Sequence, residues 1–263
     1  SRLLCHSIAV IRPPPTYKGI RDGVQFTVLS MPIDRWSGGT IHSDSNIGVI
    51  YEELSGLKPY SSNQYNLCGF SHPIICLHKT LRKRAHHDAF LWEFQTDPTT
   101  RDIWTVVVED GRGVKIYSKC LAFDTITLAE ETQHDIEGLG VFTFTKENID
   151  IQEVLQWFYD NGGCERFHHI VIKSGDLAGR SRSYVSTNGK YHLTHQYLVP
   201  SKRDTIPNMI QACRLNHDRP DSIPLTLYAP KQTVIDLQRG ALMQDEQLDR
   251  FKEAQCDALT FDQ

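Results

Sequence analysis

The residues with the most chemical promise lie between positions 170 and 229. An apolar stretch, Ile170-Val171-Ile172-Lys173, runs into Ser174-Gly175-Asp176-Leu177-Ala178-Gly179-Arg180-Ser181. Glycines at 175 and 179 permit close backbone approach to phosphate oxygens, which makes Gly175, Asp176, Gly179 and Arg180 a candidate nucleotide-binding loop. Further on come Gln211, Arg214 and Arg219, in a run expected to form a helix with long side chains reaching outward near its end. Arginines presented to a transferring phosphoryl group stabilise its charge and are typically worth about 10³–10⁵ in rate. Gln211 would orient water or the ribose-phosphate edge. A basic cluster, Lys79, Thr80, Arg82 and Lys83, continued by Arg84, His86 and His87, could track a nucleic-acid backbone. The bland alternative is a turn, a solvated helix and a charged surface face.

These residues need elements to position them. Pro73 to Leu77 reads as a strand buried on both faces, and Thr80 to Gln95 as a helix with Leu81, Ala85, Phe90, Leu91 and Phe94 on one side. Ile103–Val108 is a second buried strand and Val114–Tyr117 a third. Asp150 to Asn161 is the clearest helix, opened by Asp150 with Glu153 at capping-box spacing and stopped by Asn161-Gly162-Gly163. Strands at 169–173, 193–199 and 224–228 follow, with a helix from about Ile206 to Leu215 between the last two. Lys231 to Cys256 forms a polar amphipathic helix with an expected break near Gly240. Strands alternating with helices imply a mainly parallel sheet covered on both sides. Positions 1–70 read as an irregular connecting segment, punctuated by Pro13-Pro14-Pro15 and by Gly/Ser-rich stretches at 37–48 and 55–63, with strand-like pieces such as Val24–Leu29.

The order of these motifs is similar to the last third of superfamily 2 helicases. There a loop ending in Ala-x-Arg-Gly follows one strand and a Gln/His-x-x-x-Arg helix follows the next. The spacing of Gln211, Arg214 and Arg219 resembles the last motif of the helicase-derived "Z-one" domain of some endonucleases. Ile74–Leu77 followed by Lys79-Thr80-Leu81-Arg82-Lys83 resembles the fourth helicase motif, and Pro15-Thr16-Tyr17-Lys18-Gly19 the connection leaving the first RecA-like half. The likeness is loose over 10–230 and specific over 168–229.

The resemblance implies an α/β fold: a RecA-like, mainly parallel sheet with flanking helices over 71–230, after an irregular N-terminal segment and before a helical tail at 231–263. It implies the C-terminal motor half of a nucleic-acid helicase or translocase. Arg214, Arg219 and Gln211 would be catalytic, and Lys79, Thr80, Arg82 and Lys83 would touch nucleic acid. No G-x-x-x-x-G-K-[ST] occurs, and Asp245-Glu246 lacks the apolar strand that should precede a magnesium box. ATP and magnesium are therefore expected only with a partner: a Walker-bearing RecA-like half or another subunit. The departures are Ser181, Cys213 and His217, where the family pattern has glycine. They favour the alternative, a degenerate helicase-derived domain serving in assembly, for example of a viral particle or large complex.

Other constellations compete less well. His78-Lys79-Thr80 and His192-Leu193-Thr194 are the H-x-T triplets of two-histidine phosphodiesterases. Pro14-Pro15-Thr16-Tyr17 has the form of a WW-domain ligand, and Asp88, Glu93 and Gln95 that of a nuclease core. Seven cysteines at 5, 68, 76, 120, 164, 213 and 256 form no C-x-x-C pair, so no metal ligands are assigned and a reducing compartment, cytoplasm or nucleus, is expected. His86-His87 and His168-His169 are sequence neighbours that should point apart. With 28 basic against 32 acidic residues, any nucleic-acid surface must be a local patch. No apolar run is long enough for a membrane span. A chain starting at Ser1, with no signal-peptide pattern, is expected to be processed or cut from something longer.

Overall fold

The computed structural model describes residues 24–29, 46–65, 67–79, 90–92, 94–110, 113–121, 140–144, 149–174, 183–198, 200, 204–213 and 223–260. In chain order these give β1 (Val24–Val28), α1 (Asn46–Ser55), β2 (Ile74–Lys79), α2 (Pro98–Arg101), β3 (Trp104–Asp110), β4 (Gly113–Ser118) and β5 (Gly140–Thr143). Then follow α3 (Ile151–Asp160), α4 (Gly163–Arg166), β6 (His169–Ser174), β7 (His195–Tyr197), α5 (Ile206–Cys213), β8 (Leu225–Ala229) and α6 (Lys231–Thr260). Helical residues 90–92 and 94–96 lie between β2 and α2.

The eight strands form one sheet in the order β1-β8-β7-β2-β6-β3-β4-β5. Neighbours from β1 to β3 are parallel, while β4 and β5 extend the sheet antiparallel. The chain is thus an α/β protein with a mostly parallel mixed sheet and flanking helices. The apolar runs predicted as strands occupy its centre because both faces are covered: every residue of β6 is buried.

Alternation along each strand divides the core in two. One face carries Ile75, Leu77, Val107, Ile170 and Ile172, packed under Ile151, Val154, Leu155 and Phe158 of α3. On the same side Leu227 and Ala229 of β8 meet α5 and α6. The opposite face carries Ile74, Cys76, Trp104, Val106 and Val171, covered by Ile50, Tyr51 and Leu54 of α1 and by Phe90 and Phe94. The connections from β1 to β2 and from β2 to β3 move one way along the sheet over the α1 face. Those entering β6, β7 and β8 move the other way over the α3 face, carrying α3, Tyr184 with Tyr191, and α5. Reversing both direction and face preserves one crossover hand, as parallel β-α-β units require.

Two expectations need correction. The first 70 residues are not simply an irregular connector: Val24–Val28 pairs with Leu225–Ala229 at the sheet edge, and α1 buries Ile50, Tyr51 and Leu54. Nor does α6 break near Gly240, since it runs from Lys231 to Thr260. A Cβ at Gly240 would lie 2.5 Å from Ile206 Cγ2 and 2.8 Å from Ile210 Cδ1. The glycine is there for close packing of α6 on α5, which outweighs its poor helix propensity. The expected stop of α3 holds: Gly162 follows at φ +110°, a conformation L side chains rarely adopt. At its other end the Asp150 backbone N–H donates to the Glu153 carboxylate at 3.1 Å.

Candidate functional site

Ligands of open parallel sheets bind beyond the carboxyl ends of strands, where the outgoing connections diverge. In this sheet that point lies between β2 and β7: β2 leads over the α1 face towards β3, and β7 over the α5 face towards β8. Two side chains mark it. His78 and Tyr197, paired in register, stack with ring centroids 4.7 Å apart at an interplanar angle of 11°. Phe90 lies 4.5 Å from the imidazole, and His78 Nδ1 is 3.0 Å from the Tyr51 hydroxyl. Burial, reinforced by neighbouring Cys76, lifts the Tyr51 phenol well above its ordinary range, so it stays protonated. Burial also pushes the Cys76 thiol up to about 12, which leaves it an inert apolar filler rather than a nucleophile.

On β6, next to β2, Lys173 is fully buried opposite His78, with its ammonium 5.9 Å from the Phe90 ring centre. One residue on, the chain alternates to the other face. There Ser174 aligns with Lys79 of β2 and Glu109 of β3, in register across three strands. The Ser174 hydroxyl donates to Glu109 Oε2 at 3.0 Å, and both side chains are buried. Sequence reasoning passed over Glu109. The signal was present in Thr105-Val106-Val107-Val108-Glu109-Asp110, a buried apolar strand ending in two acids.

Of the residues singled out by sequence, Lys79 ends β2, and its partner Ser174 immediately precedes Gly175. β2 and β6 therefore end side by side at the same edge. Gln211 is exposed on α5, whose following residue is tied to the sheet by the Gln196 amide donating to the Ala212 carbonyl at 2.9 Å. Thr80, Arg82, Lys83, Gly175, Asp176, Gly179, Arg180, Arg214 and Arg219 lie outside the described residues, as do Pro14–Tyr17, Asp88 and Glu93.

The H-x-T pair is not brought together. His195 pairs with Cys76, so His192, three residues earlier, is level with position 73, five below His78. At about 3.3 Å per residue that separates the triplets by roughly 16 Å along the sheet. His192 instead lies against His72 at the amino edge, with centroids 4.4 Å apart and planes tilted by 48°, and its backbone N–H donates to His72 Nε2. Two more buried histidines sit at this edge. His169 Nε2 bonds the Leu54 carbonyl at 3.1 Å while its neighbour His168 is exposed, and His195 Nδ1 bonds the Thr194 hydroxyl at 2.9 Å. Burial lowers the affinity of His169 and His195 for a proton, His195 to a pKa of about 4. Cys68, Cys76, Cys120, Cys164 and Cys213 are free thiols. No helix among the described residues is long and apolar enough to cross a membrane.

No family model, curated protein or solved structure matches this chain.

Proposed function

We propose that this chain is a RecA-like, C-terminal motor half of a nucleic-acid helicase or translocase. In this reading Arg214, Arg219 and Gln211 serve a nucleotide held mainly by a Walker-bearing partner. The observation that carries the reading is the parallel, in-register pairing of β2 with β6. It ends β2 at Lys79 and β6 at Ser174 side by side, just before the basic and glycine-containing sequences and beside the divergence of connections where α/β proteins bind ligands. One surface can then meet a polynucleotide backbone and a nucleotide phosphate together.

Filter binding of single-stranded oligonucleotides at two salt concentrations tests the reading, with wild type beside a Lys79→Ala, Arg82→Ala, Lys83→Ala triple variant. Weak, sequence-indifferent, salt-sensitive binding is expected, and each lost phosphate contact should reduce the salt slope by about 0.7. Unchanged binding in the triple variant overturns the assignment of these residues. The isolated chain should not turn over ATP, because its sequence has no P-loop. ATP turnover stimulated by polynucleotide and abolished by Arg214→Ala would contradict the need for a partner half.

One observation favours a second reading, that of a domain retained for assembly. The divergence point on the α1 face is filled by the rings of Tyr51, His78, Phe90 and Tyr197, all buried. Absence of oligonucleotide binding in both proteins at moderate salt selects this alternative.

A further inference from the structure

We infer that Phe70, Tyr159 and Tyr191 form an aromatic cage for a quaternary ammonium group, and that the cage's present occupant, the side chain of Lys190, gives way to it. The inference goes beyond the motor reading and does not rest on it.

The cage lies on the α3 face, where Tyr191 also touches His72 of the amino edge. Phe70 comes from the segment before β2, Tyr159 from α3, and Lys190 and Tyr191 from the connection between β6 and β7. Phe70 and Tyr159 meet edge to face, with centroids 6.4 Å apart and planes at 85°. Tyr159 and Tyr191 do the same at 5.3 Å and 80°, and Phe70 and Tyr191 close the triangle at 6.4 Å. The Lys190 ammonium sits over two of these rings, 5.5 Å from the Phe70 centroid and 4.8 Å from that of Tyr159. Aromatic rings grouped round a cation are the means by which proteins recognise quaternary ammonium ligands.

Three observations make Lys190 exchangeable. First, its grip is light. An ammonium has three N–H groups, and this one donates at 2.6 Å to the neutral Tyr159 hydroxyl, with no carboxylate paired to it among the described residues. Second, the walls stand without it. All three rings pack against the core of the α3 face, and the Cys164 backbone bonds the Tyr191 hydroxyl. The Lys190 backbone is held separately: its N–H donates to Asn188 Oδ1, and the Asn188 N–H donates to Gln156 Oε1 of α3. Only the flexible stem has to swing out, so the cage can empty without being rebuilt. Third, the spacing suits a methylated occupant. Methyl carbons meet ring carbons at about 3.5–4.0 Å, which holds their nitrogen farther out than a bare ammonium needs to be. Centroid distances of 4.8 and 5.5 Å leave that room. A bare ammonium is also strongly hydrated, and a quaternary nitrogen, with no N–H, gives up less on entering a ring-lined site.

Choline and an N-acetylated trimethyllysine amide serve as probes, titrated onto the full chain at neutral pH and followed by saturation-transfer NMR. Weak binding of both is expected, and none of choline's uncharged carbon analogue. Equal affinity for the two probes means that the cage reads the head group alone. Preference for the lysine derivative means that it also reads the stem Lys190 now supplies, and either ranking supports the cage. Lys190→Ala empties it and should tighten binding about tenfold, the gain when a competing state holding about nine chains in ten is removed. Tyr159→Phe keeps the ring and removes the hydrogen bond to Lys190, so it should bind no more weakly than wild type, whereas Tyr159→Leu should lose binding. Circular dichroism melts report whether each variant is folded. If Tyr159→Leu fails to fold, Lys190→Ala and the uncharged analogue decide. Four results overturn the site: no binding of either probe to wild type, unchanged affinity in Lys190→Ala, an uncharged analogue that binds as tightly as choline, or undiminished binding in folded Tyr159→Leu. Because no polynucleotide is present, such a failure is distinct from failure of the motor reading.

Discussion

The buried histidines at the two edges of the sheet are satisfied differently. At the amino edge His72, His192 and His169 each bond a backbone carbonyl, and His195 bonds the hydroxyl of its sequence neighbour Thr194. At the carboxyl edge polar side chains meet one another across sequence and across strands, Tyr51 with His78 and Ser174 with Glu109. A group satisfied by the backbone beside it supports the fold and has little left to offer a ligand. A side chain satisfied by another side chain can exchange that partner without disturbing the ladder. Buried histidine in itself therefore says little about function, and the partner it has found says more.

The largest expected effect separates the edges by acid. Burial, with a smaller contribution from His169, holds His195 at a pKa of about 4 against an ordinary value near 6.5. Above pH 6.5 the ring is neutral in both folded and unfolded chains, and the stabilisation is complete. As pH falls towards 4 the unfolded chain takes up a proton that the folded one refuses, and stability is lost. Below 4 the loss is complete. At 1.36 kcal/mol per unit the change is on the order of 3 kcal/mol. Urea unfolding at pH 7 and pH 4 should show this dependence in wild type and a smaller one in His195→Asn. Tyr51→Phe, at the carboxyl edge, should leave the dependence as it is. Equal pH dependence in wild type and His195→Asn would remove His195 as its source.

Thr194→Val gives the next effect. Its hydroxyl accepts the Ile75 backbone N–H at 2.9 Å, while its own backbone N–H donates to the Ile75 carbonyl. Valine keeps the shape and removes the acceptor, leaving a buried N–H without its partner. The cost should be about 2 kcal/mol, seen as a lower urea midpoint at unchanged m-value. A change below about 0.5 kcal/mol would mean that polar groups at the amino edge are as expendable as exposed ones.

How much of this was legible depends on how far apart the interacting residues lie in the chain. The runs at 74–77, 103–108, 169–173 and 224–228 announce themselves because a strand buried on both faces must be apolar throughout, and the sheet contains all four. The edge position of β1 was not legible, since its partner β8 lies near the other end of the chain. Helix α1 was overlooked although Ile47, Ile50, Tyr51 and Leu54 have helical spacing, because the Gly/Ser-rich stretch before it suggested a loop. Gly240 misled in the opposite way: local propensity argued for a break, and a neighbour remote in sequence required the glycine. At the candidate site, Lys79 was picked for its charge and placed by its strand. Glu109 became visible only when strand order set Ser174 beside it.

The smallest effect tests whether carboxyl-edge partners are exchangeable. Tyr51→Phe removes one oxygen and keeps the ring, which stands edge-on to Phe94 with centroids 4.6 Å apart and to Trp104 at 5.2 Å. Those contacts carry the packing and survive. What disappears is the hydrogen bond to His78 Nδ1, whose ring remains stacked on Tyr197. The expected cost is about 1 kcal/mol, the net worth of an ordinary hydrogen bond, and less than that of Thr194→Val. Nitrogen-15 shifts of the imidazole should move, because Nδ1 loses its hydrogen-bond partner. A loss of 2 kcal/mol or more would make this pair as structural as those at the amino edge. The contrast between the edges would then fail.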